Sequence, residues 1–278
     1  MAEQSAHYLA TTSEVPAFDS VWELSDNSEI ERIFDDILQH KLKDDIAAQA
    51  LTQLARSQGL QGKFDLAIET LERSRQKSNH VIPHIRYLLE YGRVLRSSGK
   101  PDDAAPYFKK AYEAAVGVED FYTADAAHML AILDPTTGPT EGRAWSEEAL
   151  DTARKSTHPP TKLWAAIILN NTAWDSFDQG DYQTALDRFN EATELRRMAV
   201  EHKETPRTKE SYRIARWSAA YTLRHMDRLE DAFTIQKQLL SEGNTKPNRE
   251  ELVILAERLG YSGEAEEHKK ALEAMEAK

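Results

Sequence analysis

The stretch NNTAWDSFDQGDYQTALDRFNEA, residues 170–192, decides the fold of this chain. Gly180 separates two amphipathic segments; Ala173 precedes it by seven residues and Ala185 follows it by five. A small residue in each segment allows two antiparallel helices to approach closely, and a bulky residue nearby, Phe189, fills the space beside them. Glycine suits the turn between helices because it tolerates left-handed backbone geometry. We therefore predict a hairpin of two helices over these residues.

The same spacing recurs around three other turn positions, Gly62, Gly99 and Asp227. In each case a small residue stands seven positions before the turn and an alanine stands five positions after it. These pairs are Ala55 and Ala67, Gly92 and Ala104, and Ala220 and Ala232. Repetition at such a period is typical of repeat proteins, in which neighbouring helical hairpins stack on one another.

These hairpins resemble the tetratricopeptide repeat family over residues 43–240. The segment 166–198 is similar to the longer-period repeats of kinesin light chains, whose units exceed the usual length of about 34 residues. Two weaker segments, 120–133 and 140–156, fit one further hairpin between the recognisable units. The resemblance implies an all-α fold: a right-handed superhelical solenoid of antiparallel helix pairs, with about five repeats and capping helices.

We expect a partly ordered N-terminal segment followed by one solenoid domain. The expected boundaries are 1–24 for the segment, 25–278 for the domain, 29–42 for a capping helix, 43–240 for the repeats and 248–276 for a C-terminal cap. In the capping helix, apolar residues recur at spacings of three and four, after a candidate N-cap at Ser25 or Asp26.

Composition and motifs narrow the range of functions. The chain of 278 residues carries a net charge of −12, which disfavours general nucleic-acid binding because that activity needs a basic surface. The sequence contains no cysteine, and no phosphate loop, dinucleotide fingerprint, nucleophile elbow or zincin helix. We therefore expect no cofactor and no metal. Without a secretory signal or an apolar run of about 20 residues, we expect a cytoplasmic protein that does not insert into membranes.

The resemblance also indicates which residues line a groove. In this family the first helix of each pair lines the concave side, and residues three before and one after its small residue point inward. This spacing, applied together with neighbours about one turn away, predicts which residues line the groove. They are Arg56, Arg86, Arg93, Arg96, His128, Asn170, Asn171, Trp174, Phe177, Trp217, Tyr221 and Arg224. Few acids accompany them, namely Glu90 and Asp125, so the predicted groove is basic in an acidic chain. Because Leu88, Tyr91 and Leu95 supply the core of their helix, we expect its three arginines to be unnecessary for packing.

This residue set predicts a non-enzymatic adaptor that binds a peptide or protein segment, one with acidic groups or a free carboxylate. Arginines offer forked donors to carboxylates, aromatic rings supply apolar anchors, and asparagines can hold a peptide backbone. Two alternatives stay open: an enzyme or small-molecule receptor with a pocket around His128, near Asp125, and self-assembly into a homo-oligomer. For any single residue there is also a structural interpretation. Trp174 and Trp217 can be buried between repeats, and the arginines can pair with acids on adjacent helices.

Overall fold

A computed structural model describes residues 18, 21, 22, 26–133 and 139–276; for 139–141, 159, 160 and 276 only the backbone is described. Within these ranges the chain forms thirteen α-helices and no β-strand, which confirms the predicted all-α fold. The chain divides into two compact units, Met1–Thr161 and Lys162–Lys278. That residues 25–278 behave as a single domain stays a prediction. None of the described helices is both long and apolar enough to cross a membrane.

The first unit consists of helical hairpins that follow one N-terminal helix. Its helices are α1 (Asn27–Gln39), α2 (Asp44–Leu60), α3 (Phe64–Lys77), α4 (Val81–Ser97), α5 (Pro101–Ala115), α6 (Asp120–Ala131) and α7 (Pro139–Lys155). α2 packs on α3, α4 on α5, and α6 on α7, while α4 also packs on both α2 and α6. The further hairpin predicted at 120–133 and 140–156 corresponds to α6 and α7.

The second unit has the same construction. Its helices are α8 (Pro159–Asp178), of which the residues from Lys162 onward belong to this unit, α9 (Tyr182–His202), α10 (Pro206–His225), α11 (Leu229–Glu242), α12 (Lys246–Leu259) and α13 (Ser262–Glu276). α10 packs on α9, α11 and α12, and α12 packs on α11 and α13. Ala173, Ala185 and Phe189 lie together in the buried core of this unit. The C-terminal cap predicted at 248–276 corresponds to α12 and α13.

The turns within the hairpins have the geometry that the repeat spacing predicts. Gly62, Gly99 and Gly180 have φ angles of +76°, +83° and +79°, and Asp227 has +61°. In all four turns the following residue donates its N–H to the carbonyl oxygen five residues earlier, at 2.9–3.0 Å. This is the Schellman arrangement, which satisfies carbonyl groups at a helix C-terminus and needs a left-handed residue. The turn positions read from the sequence are therefore confirmed.

Close contact between the two helices of a hairpin explains the small residues of the repeat. A Cβ atom at Gly92 in α4 would lie 2.5 Å from the ring of Phe108 in α5, which is closer than two carbon atoms can approach. Phe108 is itself completely buried. Ala55, Ala173 and Ala220, at the equivalent positions of the other hairpins, are also completely buried.

The N-terminal helix covers the open side of the first hairpin. Asp26 caps α1 by accepting a hydrogen bond from the backbone N–H of Ser28 at 2.8 Å, so the predicted cap is confirmed. The helix begins two residues before the predicted 29–42 and ends three residues earlier. Phe18 and Val21 lie in the same buried core as α1 and α2. The rest of the predicted segment 1–24, apart from Trp22, lies outside the described residues.

Gly92→Ala should destabilise the chain by about 1–3 kcal/mol, because the added methyl group overfills the contact with Phe108. This loss should appear although alanine favours a helix over glycine by about 1 kcal/mol. Urea unfolding followed by circular dichroism measures the difference. Gly263→Ala in α13 is the matched control, since its Cβ would meet nothing within 4 Å, and it should leave stability unchanged or raise it. Equal stability of Gly92→Ala and the wild type would contradict the close-contact explanation.

Candidate functional site

The first helices of the first unit present one common face, which we call the first-unit face and define by Arg56, Arg86, Arg93, Arg96 and His128. The arginines do not stand free on it. Arg93 Nη2 donates to both carboxylate oxygens of Asp125 at 2.5 and 2.7 Å, and its Nη1 donates to Glu90 Oε1 at 2.5 Å. The same Glu90 oxygen accepts from Arg56 Nη1 at 3.4 Å. These contacts connect α2, α4 and α6 through charged side chains.

Arg93 is largely buried between two carboxylates and has a structural role on this face. Its side chain is 16% exposed, and those of Glu90 and Asp125 are each 4% exposed. Burial alone would lower the pKa of Arg93, but the carboxylates of Asp125 and Glu90 outweigh that effect and raise it. The expectation that the arginines of α4 are unnecessary for packing is therefore wrong for Arg93, because it neutralises two buried carboxylates.

Arg86 and Arg56 also have partners inside the chain. Arg86 is buried; its Nη1 donates to Gln49 Oε1 at 3.1 Å, and its guanidinium lies 5.6 Å from the centre of the Tyr122 ring. Arg56 lies 4.9 Å from the centre of the Trp22 ring, yet its side chain is 37% exposed. Arg96 is exposed. Arg96 is therefore the most exposed of the four arginines, and Arg56 is partly exposed.

Charged side chains of both signs meet on this face. Arg56, Arg86, Arg93 and Arg96 lie here together with the carboxylates of Glu90 and Asp125. His128 lies buried among them. Burial lowers its pKa, Asp125 opposes that effect, and Arg93 and Arg96 lower the pKa further. The net effect is that protonation of the buried imidazole is disfavoured.

In the second unit, α8 and α10 present a different face, the second-unit face, which we define by Asn170, Asn171, Trp174, Phe177, Trp217, Tyr221 and Arg224. Its centre is aromatic. The ring of Tyr221 lies 5.9 Å from that of Trp174 and 5.5 Å from that of Phe177, measured between ring centres. Trp217 stacks on Tyr221 at 5.1 Å with an angle of 23° between the ring planes. The sequence-based spacing therefore brings the four predicted aromatic residues of this unit together.

Arg224 at the end of this face is engaged within the chain. Its Nε and Nη2 donate to the two carboxylate oxygens of Glu251 at 2.7 and 3.2 Å, and its guanidinium lies 4.7 Å from the centre of the Tyr221 ring. Burial raises the pKa of Glu251 and Arg224 only partly offsets this. Asn171 is exposed and Asn170 is half-buried.

Sequence reasoning missed several aromatic members of these faces. His225 lies 4.8 Å from Tyr221, and Tyr182 lies 5.0 Å from Phe177, between ring centres. His225 follows Tyr221 by four residues, so helical spacing alone could have included it. Trp22 donates its indole N–H to Gln53 Oε1 at 2.9 Å on the first-unit face. The repeat spacing could not assign this position, because Trp22 precedes the repeats.

Comparison with known proteins gives a consistent picture of the fold. Two family models, both described as tetratricopeptide repeat, match residues 45–117 and 138–198. No curated protein matches the sequence. Among solved structures, the apo form of RapI is similar with a TM-score of 0.71 and 9% identity, over 97% of this chain and 74% of that one. A Rap protein complexed with competence and sporulation factor gives 0.57 and 14%, over 93% and 71%.

The kinesin light chain TPR-like repeats from Podosopora anserina are similar with a TM-score of 0.52 and 16% identity, over 73% of this chain and 96% of that one. At these low identities, the structural similarity establishes a shared fold and nothing more. The resemblance to the long-period repeats, read from residues 166–198, is in agreement with this likeness.

Replacing Arg93 by leucine should destabilise the chain by about 3–5 kcal/mol, because Glu90 and Asp125 would remain buried without a counter-charge. Arg96→Leu, an exposed change of the same type on the same helix, should alter stability by less than about 0.5 kcal/mol. Guanidinium unfolding of both variants gives the comparison. If Arg93→Leu were no less stable than Arg96→Leu, the charged network would not support the fold.

The lowered pKa of His128 predicts a pH dependence with a definite sign. In the unfolded chain this histidine takes up a proton below about pH 6.5, whereas the folded chain resists protonation, so unfolding binds a proton and stability falls as the pH drops. The contribution of His128 is complete above that pH and decreases below it. The melting temperature of His128→Gln should therefore fall less between pH 7.5 and pH 5.5 (about one unit on either side of that value) than that of the wild type. Identical decreases would show that His128 does not titrate with unfolding.

Proposed function

The chain belongs to the tetratricopeptide repeat family, and we propose that it is a non-enzymatic adaptor whose first helices bind a segment of another protein. Stacked helical hairpins leave one side of their first helices free of intramolecular packing, and members of repeat families use such faces for binding. The solved structure of a Rap protein complexed with competence and sporulation factor is one instance of a similar fold that holds a partner. Fold likeness at this identity supports the class of function and leaves the ligand to be argued from the faces themselves.

The observation that carries the proposal is the charge of the first-unit face. The chain as a whole has a net charge of −12, yet four arginines and two carboxylates meet on this face. A ligand with acidic groups or a free carboxylate is complementary in charge to the arginines that this face concentrates in an otherwise acidic chain.

Arg96 and Arg56 are the side chains best placed to contact such a ligand. Arg96 is exposed, and Arg56 is partly exposed although it lies beside Trp22 and Glu90. Arg86 and Arg93 are held by Gln49, Glu90 and Asp125. Arg96 is therefore the main donor to the incoming carboxylate, and Arg56 is a second donor. A forked guanidinium suits this task because it can donate two parallel hydrogen bonds to one carboxylate.

Arg96→Glu should weaken the binding of an acidic partner about fivefold or more, because it places a like charge at the contact. The full chain serves as bait in a quantitative pull-down, and the affinity of each identified partner is then measured at rising salt. Binding to the wild type should weaken as salt increases, since screening acts on exposed charges. The fold should be unaffected because Arg96 is exposed.

Arg73→Glu is the matched control, since it makes the same charge change at an exposed position of α3, the second helix of its hairpin. It should leave binding unchanged. A partner that binds both variants equally, at every salt concentration, would remove the first-unit face as its binding site. Arg93→Glu is unsuitable for this experiment, because it would place a third carboxylate beside Glu90 and Asp125 and disturb the fold.

A further inference from the structure

We infer that the second-unit face binds an extended, uncharged polypeptide segment with apolar side chains. The inference rests on the proposed function and specifies a second partner chemistry, distinct from the acidic group assigned to the first-unit face. It concerns only the side chains of α8 and α10 within the second unit.

The first argument is that α8 and α10 each carry an exposed apolar side chain in the helical turn that precedes the defining residues of this face. Ile167 in α8 and Ile214 in α10 each stand three residues, about one helical turn, before Asn170 and Trp217. Ile167 is 41% exposed and Ile214 is 44% exposed. The next turn of α10 carries Tyr221, and the positions that define the face up to this point are all uncharged. Exposed apolar side chains next to half-buried aromatic rings are typical of an interaction surface.

The second argument comes from two polar atoms inside this apolar surface. Asn170 Oδ1 and the indole Nε1 of Trp217 are both buried, and neither has a hydrogen-bond partner within the described part of the chain. One is an acceptor and the other a donor, and they occupy equivalent positions in successive first helices. Buried polar groups almost always have partners in folded proteins, so an unpaired acceptor and donor on one face require an explanation.

A polypeptide in extended conformation provides both missing partners. Each of its non-proline residues carries one free N–H and one free C=O, whereas the corresponding groups in the interior of a helix are already bonded to each other. The backbone of an extended segment can therefore donate to Asn170 Oδ1 and accept from Trp217 Nε1, whereas the interior backbone of a helical segment cannot. A charged segment is disfavoured here, because the aromatic and aliphatic side chains offer no counter-charge and Arg224 is already paired with Glu251.

The distance between neighbouring first helices predicts the spacing of the side chains along the bound peptide. Packed helices lie about 8–10 Å apart, and an extended chain advances about 3.3 Å per residue. A segment that crosses from α8 to α10 therefore places side chains about three residues apart on equivalent positions of the two helices. Binding also requires movement of the Asn170 amide and of the Trp217 ring, since Oδ1 and Nε1 are both covered in the unliganded chain. The stack on Tyr221 opens, and the indole N–H becomes accessible.

The test uses short random peptides displayed on phage, selected on the immobilised full chain at low and at high salt, followed by affinity measurements with synthetic copies. We expect uncharged peptides with apolar residues three apart, whose affinity does not change with salt. Trp217→Phe keeps an aromatic ring but removes the indole N–H, and it should weaken binding of these peptides about threefold to tenfold. Trp145→Phe, the same change in the first unit, should have no effect.

Ile214→Glu places a charge on the exposed part of the face and should weaken the same peptides more than tenfold. Met198→Glu is its control, because Met198 is 53% exposed on α9, which is the second helix of its hairpin. Circular dichroism verifies that the variants fold. Two results would overturn this inference and leave the proposed function standing. In the first, only acidic peptides are selected. In the second, the uncharged peptides bind Ile214→Glu and Trp217→Phe as tightly as they bind the wild type. A selection that yields no peptide at either salt concentration would count against both.

Discussion

The close approach of two helices within each hairpin is the constraint on which the rest of this structure depends. At Gly92 the backbone of α4 lies so near the ring of Phe108 that there is no room for a Cβ atom. Contact at this distance fixes which side of the first helix faces its partner. The other side is then left to contact neighbouring hairpins and solvent. The arginines of α4 and the aromatic residues of α10 lie on this side of their helices.

The two faces differ in chemistry although they arise from the same repeat. On the first-unit face the charged groups are held by one another, with Arg93 between Glu90 and Asp125. On the second-unit face the equivalent positions carry stacked rings, and the single arginine is bound by a carboxylate of α12. A repeat architecture permits such variation because the residues that specify the fold and those that line the faces occupy different positions of the helix.

Much of the fold could be predicted because its signals are local. Gly180, Ala173 and Ala185 lie within a span of 13 residues, and their spacing reflects one hairpin at a time. The four aromatic residues that this spacing selected in the second unit lie together around Tyr221. Pairing between helices could not be predicted, because Arg93 and Asp125 are 32 residues apart and their contact depends on side-chain rotamers and on how the hairpins stack.

The same dependence on stacking explains why the expectation that the arginines of α4 are unnecessary for packing was wrong for Arg93. Three arginines on one side of α4 look equivalent in the sequence, since each follows the repeat spacing. The structure separates them by depth: Arg86 is buried, Arg93 bridges two acids, and Arg96 is exposed. Depth is set by neighbouring hairpins and therefore is not encoded in the periodicity of a single helix.

The bridge made by Arg93 has a consequence for cooperativity. In stacked repeats each hairpin is stabilised by its own contacts and by the interface with the next, so the strength of that interface decides whether hairpins unfold singly or together. Arg93 lies in the second hairpin of the first unit and Asp125 in the third, and Glu90 extends the contact to Arg56 in the first. A charged network of this kind couples three successive hairpins into one unfolding unit, and the coupling depends on ionisation as well as on apolar burial. The first unit is thereby made to respond as a whole to changes at its charged face.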